Sequence, residues 1–293
     1  MKNSTFLFFL FLIFSCSSDN SDNEITPIKP FVESFEMSVN GEAFTYDANL
    51  YRIEDTFTIG FGSNQLLSFN KFGNFGDFFV DLRLDSPTKT SKFYSYVNFS
   101  SNYFTFKIDE LDEINKTVNG SFSGYLVSDK LNLNSEKKFV NGSFAKKYQD
   151  VAPLISNLKN SAKINGNPWI QTNEYLTKEI NNTLIIRNTV SDDPYKIMIK
   201  YIEDDINIGT FNFSELTPTI TIQLAKFDTA TQQYVTYIST GTLKVLQKEH
   251  LISNGNTFIL RGTYEFTAVN PNNFDDVITV TEGSFKVYNT YFP

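Results

Sequence analysis

The feature that most restricts this chain is a repeat. Gly120-Ser121-Phe122 and Gly142-Ser143-Phe144 return, in order and at almost the same spacing, as Gly262-Thr263-Tyr264 and Gly283-Ser284-Phe285. Two further matches keep that order. Val39-Asn40-Gly41-Glu42-Ala43-Phe44 answers to Ile164-Asn165-Gly166-Asn167-Pro168-Trp169, and Thr105-Phe106-Lys107-Ile108 answers to Thr242-Leu243-Lys244-Val245. Self-similarity of this length marks a duplicated unit. The expectation is two homologous domains, residues 31–148 and 161–293, joined by a linker at 149–160. A glycine inside a strand weakens it and usually serves a bulge or a close approach. The triplets are therefore expected on neighbouring C-terminal strands, joined by polar loops at 128–137 and 270–276. The missing side chains of Gly120, Gly142, Gly262 and Gly283 would leave hollows for an aromatic ring. Phe44 and Trp169, at the repeated position after the turn, are the expected occupants.

Local patterning makes both copies β. Val80, Leu82 and Leu84 alternate with Asp81, Arg83 and Asp85, the period of a strand with one wet face. Tyr195, Ile197, Ile199 and Tyr201 alternate with Lys196, Met198 and Lys200, and Ile220, Ile222 and Leu224 with Thr219, Thr221 and Gln223. Asn-Gly pairs at Asn40-Gly41, Asn165-Gly166 and Asn254-Gly255 tolerate positive φ and mark tight hairpins. Nothing longer than a turn at 154–159 has helical character. The fold class expected is all-β, two tandem antiparallel domains, each a sandwich or a barrel.

Composition narrows the function. With 33 acidic against 25 basic residues and a net charge of −8, the chain lacks the cationic surface that nucleic acid demands. Its 30 Phe and 15 Tyr supply ample surface for a core, so it is no disordered tail. One His and one Cys leave little for imidazole or thiolate metal sites, and no cofactor-binding loop occurs.

The N-terminus carries an address. Lys2 precedes the run Phe6-Leu7-Phe8-Phe9-Leu10-Phe11-Leu12-Ile13-Phe14. As a helix this run spans about 14 Å, against roughly 30 Å of hydrocarbon, so residues 1–15 read as a secretory signal. The run ends at Ile13-Phe14-Ser15-Cys16, and Cys16 is the chain's sole cysteine. These residues resemble the lipobox of bacterial lipoproteins, with Phe14 where a small residue is usual. The resemblance implies that Cys16 is acylated and becomes the new N-terminus, and more than one acyl chain anchors stably. After Cys16 comes Ser17-Ser18-Asp19-Asn20-Ser21-Asp22-Asn23-Glu24, and residues 16–30 read as a flexible tether of roughly 20 Å. That polar run is similar to the export signal of Bacteroidota surface lipoproteins, implying outer-membrane anchoring, facing the cell surface rather than the periplasm. With Ala162-Lys163-Ile164-Asn165-Gly166-Asn167-Pro168-Trp169, the strand from Gly262 to Phe266, and Gly283-Ser284-Phe285, the chain resembles Bacteroidota lipoprotein families built on a small β-domain, here duplicated. Such families are defined by structure-bearing residues, so the likeness brings address and fold but no activity.

The search for chemistry is short. His250 reads as a solvated turn residue without partner clusters, and no Gly-x-Ser-x-Gly elbow occurs. Acidic groups at Asp109, Glu110, Asp112 and Glu113, at Asp192 and Asp193, at Glu203, Asp204 and Asp205, and at Asp275 and Asp276 lack calcium-loop spacing. Tyr94, Tyr96, Tyr234 and Tyr237 are candidates to stack on sugar rings. Asp228-Thr229-Ala230 resembles the short O-glycosylation motif of Bacteroidota envelope proteins. No catalytic or metal residue is expected. The expected function is a non-catalytic envelope module that binds or scaffolds a glycan or surface protein, with the membrane engaged through Cys16. The alternatives are a carboxylate-based glycan hydrolase and a purely structural envelope component.

Overall fold

The computed structural model of the chain describes residues 30–62, 65–82, 91–179, 184–214, 220–251 and 257–290. The signal peptide, Cys16, the tether through residue 29, Arg83, Leu84, Asp85, Thr219, Asn254 and Gly255 lie outside these residues. From Val32 onward the chain forms one compact unit. Among the described residues the regular structure is all β apart from one 3-10 turn, Ser100–Asn102.

The first half contributes β1 (Ser34–Val39), β2 (Glu42–Thr45), β3 (Ala48–Ile53), β4 (Thr56–Phe61), β5 (Gln65–Asn70), β6 (Phe75–Leu82), β7 (Ser91–Tyr94), β8 (Phe104–Asp112), β9 (Thr117–Val127) and β10 (Lys137–Asp150). All ten belong to one sheet. Strand β10 is its hub. It pairs with β9 along one edge, and on the other with β1 and then, at Tyr148–Asp150, with β3. Hydrogen bonding thus runs in a closed circuit through β10, β3, β4, β5, β6, β7 and β9, with β8 branching from β9 and the β1–β2 hairpin from β10. The open choice between sandwich and barrel resolves here as a closed sheet. One expectation needs correcting, since β3 runs parallel to β10. The interior is a phenylalanine core that includes Phe57, Phe69, Phe75, Phe78, Phe104, Phe122 and Phe144. Its rings sit at offset-stacked and edge-on distances, 4.5 Å for Phe75 and Phe104 and 5.2 Å for Phe78 and Phe122.

The second half contributes β11 (Lys159–Ile164), β12 (Asn167–Ile170), β13 (Asn173–Glu179), β14 (Leu184–Val190), β15 (Tyr195–Ile202), β16 (Gly209–Phe213), β17 (Ile220–Asp228), β18 (Gln233–Thr236), β19 (Ile238–His250), β20 (Thr257–Asn270) and β21 (Asn273–Thr290). These form two sheets, in the orders β12-β11-β21-β20-β19-β16 and β13-β14-β15-β17-β18. One core draws on both, with Ile197, Ile199, Ile222 and Leu224 from one sheet and Leu243, Leu260, Tyr264 and Phe285 from the other. This half is a sandwich. The alternation read at Tyr195 to Tyr201 does mark a strand, but its second face is not wet. Every residue of β14 is buried, Met198 is 7% exposed, and a further apolar cluster forms on that face around Leu184, Ile186, Met198 and Ala225.

Two of the three expected Asn-Gly turns form, and the third, Asn254-Gly255, lies outside the described residues. Asn40 and Gly41 have φ of 49° and 86°, and Asn165 and Gly166 have 49° and 80°. Both asparagines also hold the last strand of their half: Asn40 Oδ1 accepts from Phe139 N–H and Asn165 Oδ1 from Thr279 N–H, each at 2.9 Å. The triplets lie on neighbouring strands, β9 with β10 and β20 with β21. Their glycines do accept rings, but not the expected ones. Gly120 is opposite Phe144 and Gly142 opposite Phe122, while Gly262 is opposite Phe285 and Gly283 opposite Tyr264. A Cβ at each glycine would collide with the facing ring. Each triplet therefore supplies the hollow for its partner's aromatic. Phe44 is instead half-buried on β2, and Trp169 fills the core between the two sheets at 1% exposure. Trp169 Nε1–H points to the Tyr195 carbonyl at 3.4 Å.

A third ring–glycine pair appears in both halves with its members exchanged. Phe104 of β8 faces Gly124 of β9, whereas Gly241 of β19 faces Phe266 of β20. Both pairs sit one residue before matched threonines, Thr105 and Thr242. Both β8 and β19 then carry a bulge at the same place, after Ile108 and after Val245. Two local expectations fail. Residues 154–159 contain a turn and the start of β11 but no helix, and His250 ends strand β19, exposed, with its ring 5.7 Å from Phe258.

Candidate functional site

Inward glycines and rings force the residue between them outward, because side chains alternate across a strand. On the outer face of the first sheet this builds two rows across five strands. Thr105, Ser123, Asn141, Ser38 and Ala43 stand side by side from β8 to β2. One step along, Lys107, Ser121, Ser143, Glu36 and Thr45 do the same. Small hydroxyl and amide groups leave the surface low, and an open groove of about 600 Å³ follows it. Phe44, paired with Met37, lies on the opposite face of its strand and packs against the phenylalanine core, its ring stacked near parallel on Tyr46 at 6.2 Å. Ser38 Oγ donates to Asn141 Oδ1 at 2.5 Å, while Lys107 is paired with Asp109.

Such a floor offers many neutral donors and acceptors, which suits a polyhydroxylated ligand. Glu36 is the one carboxylate among the residues lining it. Sequence reading picked out Phe44 and the glycines but missed Ser121, Ser123, Asn141, Ser143, Ser38 and Glu36. The signal was in the repeat itself, in the Ser or Thr at the centre of every triplet.

The acidic groups are dispersed and partly occupied. Asp112 caps its own turn, accepting from the N–H groups of Ile114 and Asn115. Glu110 accepts from Asn119, and Glu113 faces Arg52 at 3.5 Å. Asp276 accepts from the Tyr237 hydroxyl at 2.5 Å and from Asn270, which holds it below the usual carboxylate range and pushes the tyrosine up together with burial. No cluster of three or more His, Cys, Asp or Glu able to hold a metal occurs among the described residues. The tyrosines proposed for stacking are not free. Tyr96 and Tyr237 are 5% and 1% exposed, Tyr94 stacks on Phe79 at 5.0 Å, and Tyr234 packs against Phe227.

Tyr96 and Tyr234 belong instead to the seam between the halves. Tyr96, Phe99, Tyr103 and Leu133 of the first half surround Phe227 and Tyr234 of the second. Asn74 Nδ2 donates to the Asp192 carboxylate at 3.1 Å, and Ser101 N–H to the Asp192 carbonyl at 3.3 Å. Burial pushes the neighbouring Asp193 carboxyl up to about 6, and pushes Lys196, whose ammonium lies 4.0 Å from the centre of the Tyr234 ring, down to about 8. Burial also raises Tyr175 to about 12. Comparison of the chain with protein-family models, with curated proteins and with solved structures finds no match.

Proposed function

We propose that this chain is a lipoprotein of the bacterial outer membrane, tethered through acylated Cys16 and displayed at the cell surface, whose duplicated β-body binds glycan without cleaving it. The observation that carries the binding reading is the open groove over the two hydroxyl rows of the first half. Glycoside hydrolysis by paired acids needs a second carboxylate across the scissile bond. The groove lining supplies Glu36 alone. The address rests on the signal-like run, the lipobox resemblance and the polar tether. The duplication rests on the repeated triplets, together with the matched ring–glycine pairs and the matched bulges.

The test is a glycan array on the full chain in detergent micelles, followed by calorimetry on the best neutral oligosaccharide. The pair Ser121→Ala with Ser123→Ala and the pair Asn141→Ala with Ser143→Ala are each expected to weaken binding about tenfold, the equivalent of 1.4 kcal/mol. Capture of no glycan, or affinity untouched by both variants, refutes the groove as the site. Capture of an envelope protein in its place would move the proposal to protein scaffolding.

A further inference from the structure

The second half carries the same outer face, built from β19, β20, β21, β11 and β12, and one row of it has changed its charge. In the first half, Ser34, Ala145, Asn119 and Glu110 lie side by side across β1, β10, β9 and β8. Counting from the matched triplets and bulges, the corresponding row is Lys159, Lys286, Arg261 and Gln247, side by side across β11, β21, β20 and β19. Serine has become lysine, alanine lysine, asparagine arginine and glutamate glutamine. All four differences move the charge in the positive direction.

Three cations directly abreast on neighbouring strands repel one another, and a sheet gains nothing from that arrangement. Elsewhere the molecule neutralises its bases, as Lys163 with Glu282 and Lys71 with Asp55. Lys159, Lys286 and Arg261 form no ion pair with any described residue. Lys286 Nζ is oriented by the Ser156 carbonyl at 2.8 Å. The row borders a depression of about 300 Å³ that Thr263 and Ser284 also line. Two acids stand near it, both engaged: Glu249 accepts from Gln247, and Glu54 accepts from Asn157 N–H.

We infer that this row binds an acidic polysaccharide bearing a carboxylate on each sugar ring. Neighbouring strands set the cations about 4.8 Å apart, a pitch close to the length of one pyranose ring. Successive rings turn their carboxylates to different sides of a polyuronate, so the long Lys and Arg side chains, spread from this row, would reach carboxylates along the chain, with Thr263 and Ser284 left for ring hydroxyls. The overall charge of −8 does not forbid this, because at physiological salt fields are screened within about 8 Å and the local row decides. The inference rests on the glycan reading only for the nature of the chain that carries the charge, since the row and the groove of the first half share no residue.

The experiment is calorimetric titration of the full chain in neutral detergent with a hexameric oligogalacturonate at 0.1 M salt. The triple variant Lys159→Gln, Lys286→Gln, Arg261→Gln is expected to lose at least tenfold in affinity, with no loss of thermal stability. Lys159→Arg with Lys286→Arg, which keeps the charge, is expected to retain binding. Raising the salt should weaken the wild type and leave the triple variant little affected. A neutral oligosaccharide bound on the hydroxyl rows of the first half should be indifferent to the triple variant, so either site can fail alone. The inference is overturned by absence of oligogalacturonate binding, by binding that the triple variant leaves intact, or by stronger recruitment to phosphatidylglycerol vesicles than to the oligouronate.

Discussion

An inward glycine beside a ring is a different object from an inward glycine beside nothing. At Gly262 an added Cβ would lie 2.5 Å from the Lys244 carbonyl oxygen and 2.7 Å from the Phe285 ring. At Gly60, on β4, nothing lies within 4 Å and the backbone is not in the left-handed region. Backbone cannot yield as a side-chain tip does. Gly262→Ala is therefore expected to cost about 2–3 kcal/mol by overpacking. Gly60→Ala is expected to be neutral or to stabilise by about 0.4–1 kcal/mol, through loss of freedom in the unfolded chain. Urea melts of the two variants check this, and equal responses would refute the reading of the triplet. The sequence did reveal that rings cover these glycines, but not which rings. Alternation reports the face on which a residue lies, whereas the partner across the strand depends on register. Register left no trace in either copy taken alone.

At the scale of the element, strand existence was legible and strand partnership was not. Alternation and turns marked the β-elements, yet nothing in β10 announced that it would serve three neighbours. Its contact with β3 covers only three residues, too short to leave a pattern. Side chains reinforce that short closure. Arg52 Nε donates to Asp150 Oδ1 at 2.6 Å, and its guanidinium lies 4.7 Å from the centre of the Tyr148 ring. Lys116 and Arg52 together hold the Asp150 carboxyl below its usual range. Arg52→Ala should cost about 1–2 kcal/mol from the partly exposed ion pair and the cation–π contact. Hydrogen exchange should quicken at Leu50, Tyr51 and Arg52 while β20 keeps its protection. Arg52→Lys should recover less than half, since one ammonium cannot lie flat on the Tyr148 ring while reaching both Asp150 and Glu113. Unchanged exchange in β3 would mean that the circuit closes without this residue.

At the scale of the molecule, the two halves meet at a seam whose composition was misread as exposed tyrosine. A single sequence cannot say that Tyr96 and Tyr234 meet around Phe227 from positions so far apart in the chain. The seam also buries charge. Asp192 bridges to Asn74 and Ser101, and next to it Asp193 accepts from Tyr195 N–H at 2.9 Å. Desolvation dominates at Asp193, with the Asp192 charge adding to it, while the Tyr195 and Trp169 N–H groups oppose. The folded carboxyl thus titrates near 6, against 3.8 ordinarily. Between those values the folded state keeps a proton that the unfolded chain has released, so this group's contribution to stability falls as pH rises from about 4 to about 6 and stays lost above. Carboxylates held low, such as Asp112, Asp150 and Asp228, give the opposite slope. Only a difference between two proteins isolates Asp193. Asp193→Asn keeps an acceptor for Tyr195 and cannot ionise. Relative to wild type it should be equal near pH 4 and more stable by on the order of 1–2 kcal/mol at pH 7. Lys196, lowered to about 8, adds its own change only above that pH, where folded lysine has released a proton that the unfolded chain retains. Urea melts from pH 4 to 7.5 therefore read the aspartate alone, and parallel curves for the two proteins would show that the seam admits water to this carboxyl.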